Sequence, residues 1–389
     1  MKALLLNVVL VVAFAGGCKR GAVGEHCYEV EQVLVIPDSY HSGLHPMKGL
    51  HGELSGLIDC RNYSGDCSCR ALRVDGSELE EVLCLYEHEQ AIAWRGQGHD
   101  LGDGLFVVIS GFPEWPVPIG MCWDLPLSYE LWDIVNGMQG TFSSSYSLQY
   151  ILGDSRFLGL ASPCDQDDPE PGFEHLYLID GSGQLLTDHP GTGGVILEGI
   201  DPATRDYYLQ HVGGTFSGYD IDGQAFPLVI GDAVGCRFAG AQAGVHSFIC
   251  PEEGGSHSLL VGRSGGPVGS QVLASTAKGA VGSQGSIAAV VLESGQLQVY
   301  RFAQGHLEPI WTNDVSGDLR FLKVSQGPTP LVTASTGEQT YIFDVQGRPV
   351  ESVNGSAYNV GDVGEYVTTY DDTQINTYRV LPAGECSPP

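Results

Sequence analysis

Five strand–turn–strand segments recur along the C-terminal part of the chain, as in LYLIDGSGQLL and TYIFDVQGRPV. These segments are evenly spaced, about 40 residues apart, which is not expected of unrelated turns. A period of this length is typical of a four-stranded propeller blade. A blade is a small twisted sheet that covers its two faces only by stacking on neighbours. The turn glycines stand 40, 42, 40 and 42 residues apart, at Gly183, Gly223, Gly265, Gly305 and Gly347.

One period divides into four short strands, SIAAVVLE, QLQVYRFA, LEPIWTND and DLRFLKVS, joined by glycine or polar turns. The last period, which contains EYVTTYDD and INTYRVLP, is one strand short. The run YEVEQVLVIP at 28–37 has no evident partner near it and is available to complete that blade. The sequence therefore predicts an all-β fold, a β-propeller whose ring is closed by its N- and C-terminal strands.

The number of blades depends on the N-terminal third of the chain. Turns near residues 87–88 and near Pro126, added to the five regular repeats and the closing blade, predict about eight four-stranded blades. Seven blades is the alternative, because SELEEVLCLYEHEQ at 77–90 also fits an amphipathic helix with Ser77 and Glu80 as a capping box. An array of β-sandwiches is the second choice of fold.

Composition supports a folded chain with many turns and excludes some partners. The chain is 42% hydrophobic and 17% charged, and its 54 glycines among 389 residues are about twice the usual share. Its formal charge of -29 argues against binding nucleic acid or anionic lipid surfaces, which attract Lys and Arg.

The N-terminus reads as an export signal. Lys2 precedes an apolar stretch over 3–14, and Ala15-Gly16-Gly17 leads to Cys18. Small residues directly before a cysteine resemble the bacterial lipobox, although Ala15 stands where Leu is commoner. The resemblance implies that Cys18 is lipidated with acyl chains such as palmitate and anchors the protein to a membrane. An ordinary secretory signal is the alternative.

These features predict three segments: a signal peptide over 1–17, a lipidated tether over 18–26 and one propeller domain over 27–389. Within that domain, 27–170 forms irregular blades and 171–389 forms the regular repeats. Lys19 rather than Asp follows the lipidated cysteine, which by resemblance to enterobacterial sorting implies a place in the cell envelope at the outer membrane.

Export favours disulfides among the ten cysteines that follow Cys18. Cys236 and Cys250 are 14 residues apart across a predicted strand turn and form a plausible local pair, and Cys27 and Cys386 are expected to meet at the closing seam. An early group of four could suggest zinc, but its C-x6-C-x-C spacing lacks two C-x2-C knuckles, so disulfides are favoured there as well. That group is Cys60, Cys67, Cys69 and Cys84.

Candidate chemistry is sparse. Asp165, Asp167 and Asp168 could ligate Ca²⁺, but they lack the D-x-D-x-D-G pattern and two prolines favour an exposed insertion. Three early histidines are interpreted as surface residues. Three aspartates are predicted to stabilise turns rather than act as acids. These groups are His41, His45 and His51, and Asp180, Asp222 and Asp344.

The repeats resemble quinoprotein-like and WD40-like propellers through a Y-x-x-D-x-x-G core. Tyr177, Asp180 and Gly183 match it, and so does the segment from Tyr341 to Gly347. The chain has no adjacent cysteine pair and no C-x-x-C-H motif, so no cofactor is expected. Length, lipid anchor and propeller together also resemble, in architecture alone, the lipoprotein scaffold of the outer-membrane barrel-assembly machinery.

No catalytic residue is assigned from the sequence. The favoured function is a monomeric, lipid-anchored, non-catalytic propeller that binds a protein or glycan partner at the bacterial cell envelope. The alternative is a secreted hydrolase or lyase whose carboxylates gather at the propeller channel from different blades.

Overall fold

Eight four-stranded antiparallel sheets form the protein in a computed structural model, which confirms the predicted all-β propeller of eight blades. No helix occurs among the residues that the structure describes. Those residues are 26–37, 44–48, 54–59, 69–75, 78–85, 90–91, 104–110, 127–153, 156–160, 175–189, 194–201, 203–231, 233–273, 277–283, 287–315, 317, 319, 321–325, 330–360, 366–371 and 374–385.

Blades 1 to 3 contain the irregular part of the sequence. In each of them the strands follow chain order from one edge of the sheet to the other. Blade 1 is β2 (Leu44–Lys48), β3 (Leu54–Asp59), β4 (Cys69–Asp75) and β5 (Glu78–Leu85). Blade 2 is β6 (Gln90–Ala91), β7 (Leu105–Ser110), β8 (Leu127–Asp133) and β9 (Gly137–Ser144), and blade 3 is β10 (Ser147–Gly153), β11 (Arg156–Leu160), β12 (Leu176–Asp180) and β13 (Leu185–Asp188).

Blades 4 to 7 contain four of the five regular turns, the first being Gly183 of blade 3, and their strands again follow chain order. Blade 4 is β14 (Val195–Ile200), β15 (Tyr207–His211), β16 (Phe216–Tyr219) and β17 (Ala225–Phe226), and blade 5 is β18 (Arg237–Gln242), β19 (Val245–Pro251), β20 (His257–Arg263) and β21 (Val268–Leu273). Blade 6 is β22 (Ala277–Ser283), β23 (Ile287–Leu292), β24 (Gln296–Ala303) and β25 (His306–Asp314), and blade 7 is β26 (Phe321–Val324), β27 (Leu331–Ser335), β28 (Gln339–Asp344) and β29 (Pro349–Asn354).

Blade 8 closes the ring with both ends of the chain. Its strands are β30 (Ser356–Val360), β31 (Tyr366–Asp371), β32 (Gln374–Glu385) and β1 (His26–Pro37), in that order across the sheet. His26 pairs with Glu385 and Pro37 pairs with Gln374, so β1 runs along nearly all of β32. This confirms that the N-terminal strand supplies the missing fourth strand.

Strand direction defines two faces of the ring. We call the face that carries the first-to-second and third-to-fourth strand turns the turn face. The opposite face, with the second-to-third connections and the links between blades, is the connection face. Three long connections begin and end at the connection face, in neighbouring blades 1 to 3. They comprise residues 60–68, 111–126 and 161–174, which lie outside the described residues.

The hydrophobic core lies between the blades. All six side chains of β23, IAAVVL, are buried, because this strand packs on both sides. On one side Ala288 and Val290 meet Val245 and Val261 of blade 5, and on the other side Ala289 packs with blade 7. A strand that is buried on both sides requires a continuous run of apolar residues. In a sheet with one solvent-exposed face, alternating apolar and polar residues are sufficient.

Two turn glycines show why the repeat signal is strong. Gly183 and Gly347 both have positive φ, 84° and 80°, which glycine adopts without steric cost. A Cβ at Gly183 would overlap the carbonyl oxygen of Ser143 in blade 2, and one at Gly347 would lie 2.6 Å from the Trp311 ring in blade 6. The Trp311 indole N–H also donates to the Val345 carbonyl at 2.9 Å. These turns therefore form part of the contact between blades.

Two details of the sequence interpretation are wrong, and one alternative that it left open is decided. The segment that fitted a helix is strand β5, paired with β4 through Asp75 and Glu78 and through Arg70 and Cys84. The third-to-fourth turns of blades 1 and 2 follow β4 and β8, rather than lying near residues 87–88 and Pro126. The four-strand unit drawn from SIAAVVLE crosses a blade boundary, because β22 belongs with β23 to β25.

We predict that Gly347→Ala destabilises the protein more than Gly265→Ala. Both glycines have positive φ, so each substitution should cost about 1 kcal/mol of backbone strain. The Gly347 variant should cost a further 1–3 kcal/mol, because its methyl group meets Trp311 whereas nothing lies within 4 Å of a Cβ at Gly265. Thermal unfolding of the two variants measures the difference, and equal midpoints would refute the role of the contact.

Candidate functional site

The inner strands surround the axis of the ring, because first strands of successive blades contact one another from β14 to β30. Among the described inner strands Glu198 is the one carboxylate. Burial raises the pKa of Glu198 above its usual value. A paired-carboxylate site therefore has no second member on the described inner strands.

Asp201 is a fully buried carboxylate that joins blade 4 to blade 5. One oxygen accepts from the backbone N–H groups of Ala203 and Thr204 in its own turn, at 2.8 and 3.2 Å. Ala243 and Gly244 of blade 5 donate to the same carboxylate at 3.0 and 2.7 Å. Four backbone donors satisfy the charge, so this residue has a structural role that the sequence interpretation missed.

The recurring aspartates stabilise turns, with one correction. Asp180 and Asp344 each accept backbone N–H groups from two and four residues ahead, at 2.8–3.0 Å. In blade 4 this role belongs to Asp220 and not to Asp222. Asp222 is exposed and lies 3.2 Å from the guanidinium of Arg156 in blade 3. Partial burial acts to raise the pKa of Asp180, but hydrogen bonds from Ser182 and Gln184 hold it below its usual value.

A buried polar cluster lies between blades 3 and 4. The Tyr207 hydroxyl is 2.8 Å from Nε2 of His189, and the rings of Tyr207 and Tyr219 stack with centroids 5.4 Å apart. Burial, with a smaller effect of nearby His211, lowers the pKa of His189 to about 4. His189 is therefore neutral at neutral pH. Its tautomer decides whether its Nε2 atom or the Tyr207 hydroxyl donates in their hydrogen bond.

A second aromatic cluster lies between blades 4 and 5. Tyr208 stacks on Phe238 with ring centroids 4.8 Å apart, and His246 lies beside both Tyr208 and Phe226. The Val229 N–H donates to Nε2 of His246 at 3.2 Å, which requires an unprotonated nitrogen there. Burial lowers the pKa of His246 to about 4. The cluster is part of the core.

Among the described residues, His211 and Ser217 most resemble a nucleophile–base pair. The His211 Nε2 atom is 2.7 Å from the Ser217 hydroxyl, across β15 and β16. Burial lowers the pKa of His211, and the tautomer of its imidazole decides which of the two atoms donates. Nothing in the described part of the chain hydrogen-bonds a carboxylate to His211, so the third member of a triad is not assigned.

The predicted cysteine and metal candidates have different outcomes. Cys236 and Cys250 form a disulfide with an S–S distance of 2.05 Å at the connection face, as the sequence predicted. Cys84 is also disulfide-bonded. Cys27 and Cys69 lie in β1 and β4 with side chains outside the described set. The residues wholly outside it are Cys18, Cys60, Cys67, Cys386, Asp165, Asp167, Asp168, His41 and His51.

The described residues contain neither a metal-binding cluster nor a helix that could cross a membrane. No group of three or more His, Cys, Asp or Glu side chains is placed there to hold a metal ion. No helix in that part of the chain is long and apolar enough to cross a membrane.

Comparisons with known proteins bear on the fold. No protein-family model and no curated protein matches the chain. The chain is similar to a computationally designed protein, Ika8, at TM-score 0.50 and 11% identity, covering 90% of this chain and 99% of the other. It is also similar to BamB from Moraxella catarrhalis, at TM-score 0.45 and 13% identity, covering 90% of this chain and 99% of the other. It is similar as well to the C-terminal WD40 domain of Sif2, at TM-score 0.48 and 13% identity, covering 90% of this chain and 98% of the other.

We predict that Asp201→Asn destabilises the protein by about 2–4 kcal/mol, because an amide NH₂ group would face backbone donors in a buried site. Asp222→Asn is the matched control and should change stability by less than about 0.5 kcal/mol, since its contact with Arg156 is exposed. Chemical denaturation of both variants measures the difference. A loss for Asp201→Asn as small as the control would show that this carboxylate does not hold the blades together.

We predict that acid destabilises the protein between pH 6.5 and pH 4. The pKa of each buried imidazole of His189 and His246 falls from 6.5 to about 4 on folding, so the unfolded chain takes up more protons as the pH falls. Each should cost roughly 3 kcal/mol over that window. Urea unfolding of the wild type, His246→Gln and exposed His306→Gln tests this. The free energy of unfolding of the His246 variant should depend less on pH than that of the wild type. An unchanged slope of this free energy against pH would contradict the prediction.

Proposed function

We propose that the protein is a monomeric, lipid-anchored, non-catalytic propeller that binds a protein or glycan partner at the bacterial cell envelope, on the outer membrane. The observation that best supports binding is the use of the buried polar groups. Asp201, Asp344, His189 and His246 all bond to neighbouring strands or turns within the fold. A rigid ring that presents loops is suited to recognition.

Chain direction supports an orientation for the anchored protein. β1 begins at the turn face, where His26 pairs with Glu385. The eight residues from Cys18 to His26 can span at most about 28 Å. A lipid on Cys18 would therefore hold the turn face nearer the membrane. The connection face would point away from it and meet the partner.

The charge of the connection face indicates the chemistry of that partner. Its described residues include Glu252 and Glu253 of blade 5, Glu293 of blade 6 and Glu338 of blade 7, together with exposed Arg237 at the start of β18. Such a face attracts a cationic surface and repels anionic polymers. A protein with a basic surface is the favoured partner.

The lipid anchor is tested by expressing the full chain and Cys18→Ser in a host with an outer membrane. We expect the wild type to fractionate with that membrane and to incorporate labelled palmitate, because the lipobox-like cysteine receives the acyl chains. Cys18→Ser should lose the label and the membrane association. An unlabelled wild-type protein in the soluble fraction would overturn the anchor and favour an ordinary secretory signal.

The binding face is tested by placing a photo-crosslinking amino acid at Ser294 or at Ser264. Both serines are exposed in tight turns, the first at the connection face and the second at the turn face. We expect a discrete crosslinked product of higher mass from Ser294 in intact cells and none from Ser264. Crosslinking from Ser264 alone would reverse the proposed orientation, and none from either position would argue against the proposal.

The hydrolase or lyase remains the second candidate because of Glu198, whose pKa is raised on an inner strand, as a general acid requires. Purified protein should then cleave a member of a panel of glycans and peptides, and Glu198→Gln should abolish that cleavage. Glu293→Gln is the control, and activity that survives in Glu198→Gln excludes this role.

A further inference from the structure

The outer strand of blade 4 is unusually short. β17 contains Ala225 and Phe226 alone, and it stops at Pro227, which has no N–H to continue a ladder. The chain then turns inward: the Val229 N–H bonds to His246, and its side chain packs against Gly262 in blade 5. The rim of blade 4 therefore ends early.

One side of β21, the outer strand of blade 5, faces blade 4. The side chains of β21 alternate: Gly269 and Leu273 pack on blade 6, whereas Val268, Ser270 and Val272 face blade 4. The latter three are all exposed, Val268 by 40% and Val272 by 59%. Two exposed valines therefore lie on that side, and Val229 in the link from blade 4 packs against Gly262, next to the Val268 end.

The edge of β21 also lacks the charges that usually protect outer strands. Its sequence, VGSQVL, has no charged residue, and among the described strands no further strand pairs with its outer edge. The outer strands β1, β5, β25 and β29 all carry glutamate. A charged residue at an edge disfavours the addition of another strand. β9 is also uncharged, but its neighbour β5 is a full strand of eight residues.

Negative charge lies at one end of this edge. Val272 pairs with Ser258, whose hydroxyl donates to the Glu252 carboxylate at 2.5 Å. Glu252 and Glu253 are exposed at the connection face, next to that end of β21. A segment lying along β21 would therefore gain from a Lys or Arg side chain at the same end.

We propose that β21 accepts an extended segment of a protein partner as an added strand at the rim of blade 5. The segment pairs its backbone with the free edge, places apolar side chains beside Val268 and Val272, and carries a basic residue near Glu252 and Glu253. Backbone pairing supplies affinity and the alternate side chains supply selectivity. The inference rests on the proposed binding function and specifies its partner.

A displayed library of random dodecapeptides, selected on the full-length protein in detergent, tests the proposal. We expect enriched peptides to alternate apolar and polar residues and to carry Lys or Arg towards one end. Affinity of a synthesised winner, measured by fluorescence anisotropy, should fall at least tenfold for Val272→Glu and about threefold for Val272→Thr. Val135→Glu, which changes an exposed valine at the turn face, is the matched control and should leave affinity unchanged.

Three results would overturn the proposal. The first is no enrichment over selection on the double variant V268E/V272E, and the second is equal binding to the wild type and to Val272→Glu. The third is self-association of the wild type in sedimentation that Val272→Glu abolishes, because the occupant would then be a second copy of the chain. If the peptides fail while Ser294 still crosslinks in cells, the binding function stands and this surface is wrong.

Discussion

Packing of each sheet against two neighbours is the interaction on which the rest of the structure depends. A four-stranded sheet that buries both faces has no wet side, and β23 with its six buried apolar side chains is the clearest case. Removing one blade would expose two such faces, so the blades stabilise one another around the ring. The contacts of the turn glycines and of Trp311 set how closely successive blades approach.

Closure makes that packing continuous. Blade 8 combines β1 with three C-terminal strands, so β1 and β32 lie together and blade 8 packs against blade 1 as well as blade 7. Pairing between residues several hundred positions apart is costly in chain entropy. It also brings the N-terminal segment to the turn face, which gives the proposed lipid anchor a direction.

Polar groups inside the ring serve the same packing. Asp201 connects two blades through backbone donors, and His189 and His246 stay neutral among tyrosines and phenylalanines. The features on which the proposed recognition rests are on the outside of the ring. They are the acidic connection face and the uncovered side of β21, which lie next to each other at Glu252.

The sequence by itself determined the repeat, the number of strands in a period and the need for a closing strand, because these depend on turn chemistry and strand patterns. It offered Cys236 and Cys250 as a local disulfide pair without determining the pairing. It did not determine the early blades, where long connections hide the period and the pattern of β5 suits helix and strand alike. Only tertiary structure decided the pairing of β5 with β4, the role of Asp201 and the exposure of Val272. Each depends on residues brought together from separate strands or blades, and no local pattern records what a distant neighbour covers or leaves bare.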